Sequence, residues 1–258
     1  MVCFRNTFIF LLLCLCACQP SQPYRVSNPL EVIKDPVARD ILNQALKHAG
    51  GLDKWNSLNR IEFTKDWQLF DALGQIELDR FENHTYQFKP ELSNTIRWNE
   101  EDNQVVSLEE QGQFIRICNE QVDQKASPDQ VAKQIQAATF VFGLPYNLLD
   151  STAHLTYSGR DTLEDGVIVE VLSAAYHPED FDHHTTADTW TIFFDYSSHS
   201  MVGYMVHHAD HYAYVRDLSK IRLDGFEFPE QRRSWRVTPD REIKYLRATY
   251  LYGNYVIQ

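Results

Sequence analysis

The chain has 258 residues, with 24 Lys and Arg against 36 Asp and Glu, so its formal net charge at pH 7 is −12. A negative surplus of this size argues against binding to nucleic acid or docking onto anionic lipid headgroups, because both need clustered cations. The content of 13 Tyr, 15 Phe and 5 Trp favours β-rich structure over a helical bundle.

Residues 1–17 have the pattern of a secretory signal peptide. One arginine precedes an apolar run that is too short to span a bilayer as a mature helix. The run ends in Leu15-Cys16-Ala17-Cys18, which resembles the lipobox of bacterial lipoproteins. The resemblance implies cleavage before Cys18 and attachment of fatty acyl chains such as palmitate to that cysteine, which would anchor the chain stably to a membrane. A soluble secreted protein with incidental cysteines is the alternative.

A tether and one folded domain follow the lipobox. Residues 19–29 hold three prolines and two serines, which is typical of an extended linker. We therefore divide the chain into a signal peptide (1–17), a lipidated cysteine with its tether (18–30) and a single domain (31–258). Cys118 would be the one unmodified cysteine of the mature chain, so we expect no internal disulfide.

Two helices with clear start signals are predicted in the domain. Asp35 can cap a helix that begins at Pro36 and ends at a pair of glycines, and its apolar residues repeat at helical spacing. Ser127 and Gln130 form a capping box for a second helix, which ends at Gly143.

The other segments of the domain alternate apolar and polar residues with the period of β-strands. Turn-type clusters separate these segments and helices rarely intervene, which predicts an antiparallel meander. The pattern gives roughly twelve strands, and it assigns residues 75–80 and 85–88 to two different strands. The predicted fold class is α+β, with a large, curved antiparallel sheet around two main helices in one domain.

Four short motifs give the chain the layout of a known family. They are His48-Ala-Gly-Gly-Leu-Asp-Lys-Trp-Asn-Ser-Leu, Phe142-Gly-Leu-Pro-Tyr, Phe194-Asp-Tyr and Asp224-Gly-Phe-Glu-Phe-Pro. The chain resembles a family of uncharacterised Bacteroidota outer-membrane lipoproteins that is distantly similar to the lipoprotein-sorting proteins LolA and LolB. The resemblance implies a half-barrel, whose open curved sheet holds the helices on its concave side and leaves an apolar cavity. In LolA and LolB such a cavity holds the acyl chains of lipoprotein cargo.

The leading functional hypothesis is a non-enzymatic envelope lipoprotein that binds a lipid, an acyl chain or a lipoprotein tail in this cavity. The chain has no Gly-x-Ser-x-Gly, P-loop or dinucleotide motif, although this leaves an enzymatic role open. For each residue proposed to line the cavity, the alternative is that it packs in a closed hydrophobic core. The candidate cavity residues are the aromatic and aliphatic side chains Trp67, Leu69, Phe140, Phe142, Tyr146, Leu148 and Phe194.

The residues after the lipobox suggest a location in the envelope. Gln19 stands where an aspartate serves as the inner-membrane retention signal of some bacterial lipoproteins, so the resemblance implies the outer membrane. No acidic run of the kind associated with surface display in Bacteroidota follows Cys18. We therefore expect a lipid anchor in the outer membrane and a domain that faces the periplasm.

Histidines are concentrated in two segments that a predicted hairpin could bring together. If Phe194 lies opposite Ser200, His183 lies opposite His211. Imidazole and carboxylate ligands suit zinc and other transition metals, so a metal-binding or metal-dependent hydrolytic protein is the second functional hypothesis. Adjacent histidines on a strand point to opposite faces, so a solvated hairpin end or a pH-sensitive loop are the alternatives. The candidate ligands are His177, His183, His184, His207, Asp210 and His211, and no other cofactor is expected.

Overall fold

The computed structural model describes residues 29–150, 152–176 and 189–258. In these ranges the chain forms three α-helices, α1 (Pro36–Ala49), α2 (Leu52–Ser57) and α3 (Pro128–Phe142), and two short 3-10 turns, Pro29–Val32 and Tyr146–Leu149. The strands are β1 (Arg60–Phe70), β2 (Ile76–Gln87), β3 (Ser93–Glu100), β4 (Asn103–Glu110), β5 (Gln113–Cys118), β6 (Gln121–Val122), β7 (Ala153–Thr162), β8 (Ile168–Tyr176), β9 (Thr189–Asp195), β10 (Met201–His207), β11 (Tyr212–Leu223), β12 (Phe226–Val237) and β13 (Ile243–Ile257).

All thirteen strands belong to one antiparallel sheet, in the order β6-β5-β4-β3-β2-β1-β13-β12-β11-β10-β9-β8-β7. The chain enters at the middle of the sheet and meanders outward to β6. It then crosses to the opposite edge through α3 and meanders back, so that β13 pairs with β1. The edge strands β6 and β7 do not pair with each other, so the sheet is an unclosed half-barrel, as predicted.

Each main helix covers one half of the sheet. The buried side of α1, which includes Leu42 and Leu46, packs in one cluster with residues of β7 to β11. The buried side of α3, with Val131 and Ile135, packs against Ile96 and neighbouring residues of β3 and β4. The strands at the centre of the sheet therefore lie between the part that packs against α1 and the part that packs against α3. The unfilled space in the half-barrel lies over these central strands.

The helix boundaries agree with the prediction because their signals are local. The Asp35 carboxylate accepts hydrogen bonds from the backbone N–H groups of Val37 and Ala38 at 2.9 and 3.2 Å. Ser127 and Gln130 form the reciprocal capping box at the start of α3.

One part of the strand prediction is wrong. Residues 75–80 and 85–88 do not form two strands, because the continuous strand β2 runs from Ile76 to Gln87. The polar residues between them resemble a turn in the sequence, yet Glu82 and His84 are 2% exposed. These side chains face the interior of the half-barrel.

No helix within the described ranges is long and apolar enough to cross a membrane. Cys118 ends β5 as a half-buried free thiol. The signal peptide, Cys18 and nearly all of the tether lie outside the described residues.

Candidate ligand cavity

A cavity of about 340 Å³ lies between the central strands and α3. This volume is near the lower end of the roughly 300–1,000 Å³ typical of small-molecule sites, so it suits one small or single-chain ligand. The cavity is lined by Phe63, Lys65, Trp67, Arg80, Glu82, His84, Tyr86, Ile96, Gln134, Ala137, Ala138, Val141, Phe142, Tyr204, Arg232, Tyr250 and Tyr252.

The spacing of the lining residues follows from their secondary structure. On β1 the lining residues are Phe63, Lys65 and Trp67, which alternate because successive strand residues point to opposite faces. On β2 they occupy every second position from Arg80 to Tyr86. On α3 they repeat at positions 134, 137, 138, 141 and 142, which form one face of a helix.

The register of the sheet places residues from five strands in one row. Trp67 lies opposite Arg80 on β2 and opposite Tyr250 on β13. Tyr250 in turn lies opposite Arg232 on β12, whose partner on β11 is Asp217. We call this row, Arg80-Trp67-Tyr250-Arg232-Asp217, the central rung. It carries cations at two positions with two aromatic rings between them.

A buried polar network forms the β2 wall. The Lys65 ammonium lies 3.3 Å from the Glu82 carboxylate, and Nε2 of His84 lies 3.0 Å from the same carboxylate. Nδ1 of His84 lies 2.9 Å from the Tyr86 hydroxyl. Because a carboxylate only accepts hydrogen bonds, Nε2 of His84 donates and Nδ1 accepts from Tyr86.

The protonation states in this network follow from burial and neighbouring charges. Burial alone would raise the pKa of Glu82, but the hydrogen bond from His84 and the charge of Lys65 together lower that pKa to about 2. Burial lowers the pKa of His84 from 6.5. At neutral pH the carboxylate is therefore ionised and the imidazole is neutral.

His84 should make stability depend on pH. Its pKa is lower in the folded chain than the 6.5 of an exposed imidazole, so the unfolded chain binds the proton first. The free energy of unfolding should therefore fall as the pH drops below about 6.5. We expect this fall between pH 7.5 and 5.5 in urea denaturation of the wild type, and a smaller fall in the His84→Gln variant.

This pH interval lies above the range in which Glu82 titrates, because the pKa of Glu82 moves from 4.5 to about 2 on folding. Replacement of the exposed His154 by Gln controls for the loss of an imidazole elsewhere. Equal slopes for the wild type and His84→Gln would show that His84 does not titrate on unfolding.

Arg232 lies on the opposite side of the cavity and is only 3% exposed. Its Nε atom donates a hydrogen bond to Asp217, whose side chain is 2% exposed. Within the described ranges, the buried Nη1 atom has no hydrogen-bond acceptor. Burial raises the pKa values of Tyr204 and Tyr250 well above the usual range, so these nearby hydroxyls stay protonated.

Stacked aromatic rings form the apolar end of the cavity. The ring of Phe142 on α3 is stacked on Phe63 with centroids 4.4 Å apart, and Phe63 is also stacked on His84 at 4.7 Å. Towards the central rung, the Lys65 ammonium lies 4.2 Å from the Trp67 ring, a cation–π contact. The wall therefore combines an aromatic surface with buried charge.

The seven residues predicted to line the cavity lie in different parts of the structure. Trp67 and Phe142 line the cavity, and Leu69 follows on the same face of β1, beyond the lining. Phe140 and Tyr146 line a second, more open groove of about 470 Å³ beside α2. Leu148 and Phe194 are 1% and 0% exposed and pack in the core under α1.

The predicted hairpin register is wrong. Phe194 pairs with Met201 instead of Ser200, and a β-bulge between Met201 and Gly203 places His207 opposite Thr189. A bulge adds one residue to one strand, which the alternation of apolar residues does not reveal.

The candidate metal ligands come together only in part. His207 is stacked on Tyr212 with ring centroids 4.2 Å apart, and His211 pairs with Asp210 at 2.5 Å. Among the described residues, no three His, Cys, Asp or Glu side chains form a group that could hold a metal ion. The other three candidates, His177, His183 and His184, lie outside the described residues, so a metal site that includes them stays a prediction.

Sequence reasoning missed the charged residues of the lining, Lys65, Arg80, Glu82 and Arg232, and the neutral imidazole of His84 among them. A signal was present in β1 and β2, where charged and aromatic residues alternate on one face. That alternation is also typical of a solvent-facing strand, so only the pairing of the strands shows that this face is covered.

Comparison with known proteins gives structural matches. A DUF1329 family protein from Desulfovibrio piger has a TM-score of 0.54 at 10% identity, over 87% of this chain and 94% of that chain. A LolA superfamily protein from Nitrosomonas europaea has a TM-score of 0.51 at 8% identity, over 86% and 93% of the two chains. A domain from Vibrio parahaemolyticus, described as an outer membrane lipoprotein-sorting protein, has a TM-score of 0.53 at 9% identity, over 86% and 93%.

No protein-family model matches the sequence, and no curated protein matches it. Identities of 8 to 10% relate the chain to these structures through the fold alone. The resemblance in the sequence is thus confirmed at the level of architecture: the chain has a LolA-like fold.

Proposed function

We propose that the chain is an envelope lipoprotein, anchored in the outer membrane through lipid on Cys18 and facing the periplasm, that binds a hydrophobic ligand in the cavity of its half-barrel. The ligand is a lipid or an acyl chain. Binding needs no catalytic group, because it rests on burial of apolar surface from both partners.

The main support for this proposal is the aromatic lining of the cavity. Seven of the lining residues are Phe, Tyr or Trp, so apolar and π surface dominates the space between the sheet and α3. A closed core would be packed to crystal-like density, whereas this space is large enough for a ligand. The lipoprotein-sorting domain with the same architecture also supports the proposal.

Native mass spectrometry of the full chain, extracted from membranes in detergent, tests both halves of the proposal. We expect a covalent lipid mass that stays on the Cys18 peptide after denaturation. We also expect a second mass of several hundred daltons that is lost on denaturation and passes into organic solvent. A bare, unmodified chain would contradict both the anchor and the bound ligand.

A matched pair of variants on α3 then locates the ligand. Ala137 lines the cavity from an exposed position, whereas Ala132 on the same helix lines neither the cavity nor the second groove. Ala137→Trp should remove most of the non-covalent mass by filling the cavity, and Ala132→Trp should retain it. Equal occupancy in the two variants would place the ligand elsewhere.

A further inference from the structure

We propose that the cavity selects single-chain amphiphiles with an acidic headgroup, of which a fatty acid is the simplest, and that Arg232 holds the carboxylate. This inference rests on the proposed function and names the class of ligand. The apolar chain would lie against the remaining wall, which includes Phe63, Ile96, Val141 and Phe142.

The first argument is the incomplete hydrogen bonding of Arg232. Asp217 accepts from the Nε atom of the guanidinium, but the buried Nη1 atom lacks an acceptor among the residues that the structure describes. A buried donor without an acceptor is costly, and more so on a charged group. An anionic oxygen in the cavity beside Arg232 would supply that acceptor.

The second argument is the charge balance of the wall. Lys65, Arg80 and Arg232 face one carboxylate, Glu82. Asp217 behind Arg232 and the exposed Glu100, which lies 3.9 Å from Arg80, are outside this lining. The lining itself is therefore positive, in a protein whose net charge is −12. Glu82 already accepts from His84 and pairs with Lys65, so it does not neutralise Arg232.

The third argument concerns the other groups that face Arg232. Its guanidinium lies 5.7 Å from the ring of Tyr252, and it lines the same cavity as Tyr204 and Tyr250. Phenolic hydroxyls donate hydrogen bonds to carboxylates, and burial raises the pKa values of Tyr204 and Tyr250, so these two bring no negative charge at neutral pH. The site is therefore arranged to receive an anion, and a cationic headgroup would be repelled.

Three probes with the same twelve-carbon chain test the inference: laurate, dodecanol and dodecyltrimethylammonium. The protein is the whole mature chain with Cys18→Ser, which is free of the covalent lipid, and binding is measured by isothermal titration calorimetry. Laurate should bind at least about tenfold more tightly than dodecanol, as expected for a hydrogen bond to a charged group. The ammonium probe should bind most weakly.

The variant that tests Arg232 removes the buried pair together, as Asp217→Leu with Arg232→Met, because removal of one charge alone would leave the other unpaired. This double variant should lose the preference for laurate, so that laurate and dodecanol bind to it with similar affinity. The control is Arg97→Met, since Arg97 is exposed on β3 and does not line the cavity. The control should keep the preference.

The outcomes separate this inference from the proposed function. Equal binding of laurate and dodecanol by the wild type would overturn the acidic headgroup and leave the hydrophobic cavity standing. Binding of neither probe would overturn the proposed function itself. A laurate preference that survives in the double variant would overturn the assignment to Arg232. The wild-type comparison needs no variant, so a failure of the double variant to fold does not affect it.

Discussion

Replacement of Asp217 by Leu should lower the free energy of unfolding by about 3–5 kcal/mol, because it leaves Arg232 as an uncompensated buried charge. The two side chains are 2% and 3% exposed and form a direct ion pair. The Lys220 ammonium lies 3.5 Å from Asp217, but it keeps its closer contact with Glu227 at 2.9 Å. The loss of the Asp217 carboxylate should therefore leave Arg232, and not Lys220, without an ion-pair partner.

Urea denaturation of a double-mutant cycle measures this effect. The pair Asp217→Leu and Arg232→Met should be much less destabilised than Asp217→Leu alone, since two apolar side chains replace two charges. The control is Glu62→Gln, which removes an ion pair with Arg60 whose side chains are 36% and 37% exposed. An exposed pair contributes less than about 1 kcal/mol. Additive losses in the cycle would contradict a mutually dependent buried pair.

Truncation of Phe142 to Ala should lower the free energy of unfolding by about 3–5 kcal/mol. The ring is 6% exposed and fastens the end of α3 to the sheet through stacking on Phe63 and Phe228, with centroids 4.4 and 5.8 Å away. Its removal also widens the ligand cavity, because the vacated space adjoins the lining. The rings of Tyr86 and Tyr255 also lie near the Phe142 ring, with centroids 5.4 and 6.4 Å away.

The matched control is Phe81→Ala on β2, whose ring is 52% exposed on the opposite face of the sheet. Its effect should stay within about 0.5 kcal/mol. Phe142→Leu should fall between the two, because it keeps part of the buried surface. A loss below about 1 kcal/mol for Phe142→Ala would show that α3 is held to the sheet by its other contacts.

The starts of the two main helices, α1 and α3, could be predicted from the sequence. The start of α1 depends on Asp35 and the proline after it, and the start of α3 depends on Ser127 and Gln130. Each of these signals acts within one helical turn. Nothing distant in the chain is needed to interpret them.

The long strand β2 and the charged wall were missed for the same reason. Glu82 accepts a hydrogen bond from His84 within the strand and forms an ion pair with Lys65 on β1. Polar side chains with such partners can be buried. A prediction from alternation treats such residues as solvent-facing or as a turn. Their true environment depends on a register that joins β2 to β1 and on α3, which lies far along the chain and covers this face.

The central rung could not be predicted from local sequence patterns at all. It joins β2 and β1 to strands from the other end of the domain, and β-bulges in the pairing of β12 with β13 shift its register. Each bulge changes which residues meet. Tyr250 and Arg232 therefore carry no sign in the sequence that they lie beside Trp67.

The pairing of β13 with β1 at the middle of the sheet also bears on how the protein folds. Ile61 lies opposite Ile257, so the seam between the two half-sheets joins positions near opposite ends of the described domain. Closing so long a loop is entropically costly, and folds rich in such contacts form slowly. Until the seam closes, β1 and β12 each present an unpaired inner edge, which is the kind of surface that recruits strands from other chains. The half-sheets are thus open to aggregation as long as β13 is not inserted, and the cavity, whose lining comes from both sides of the seam, is incomplete until the seam closes.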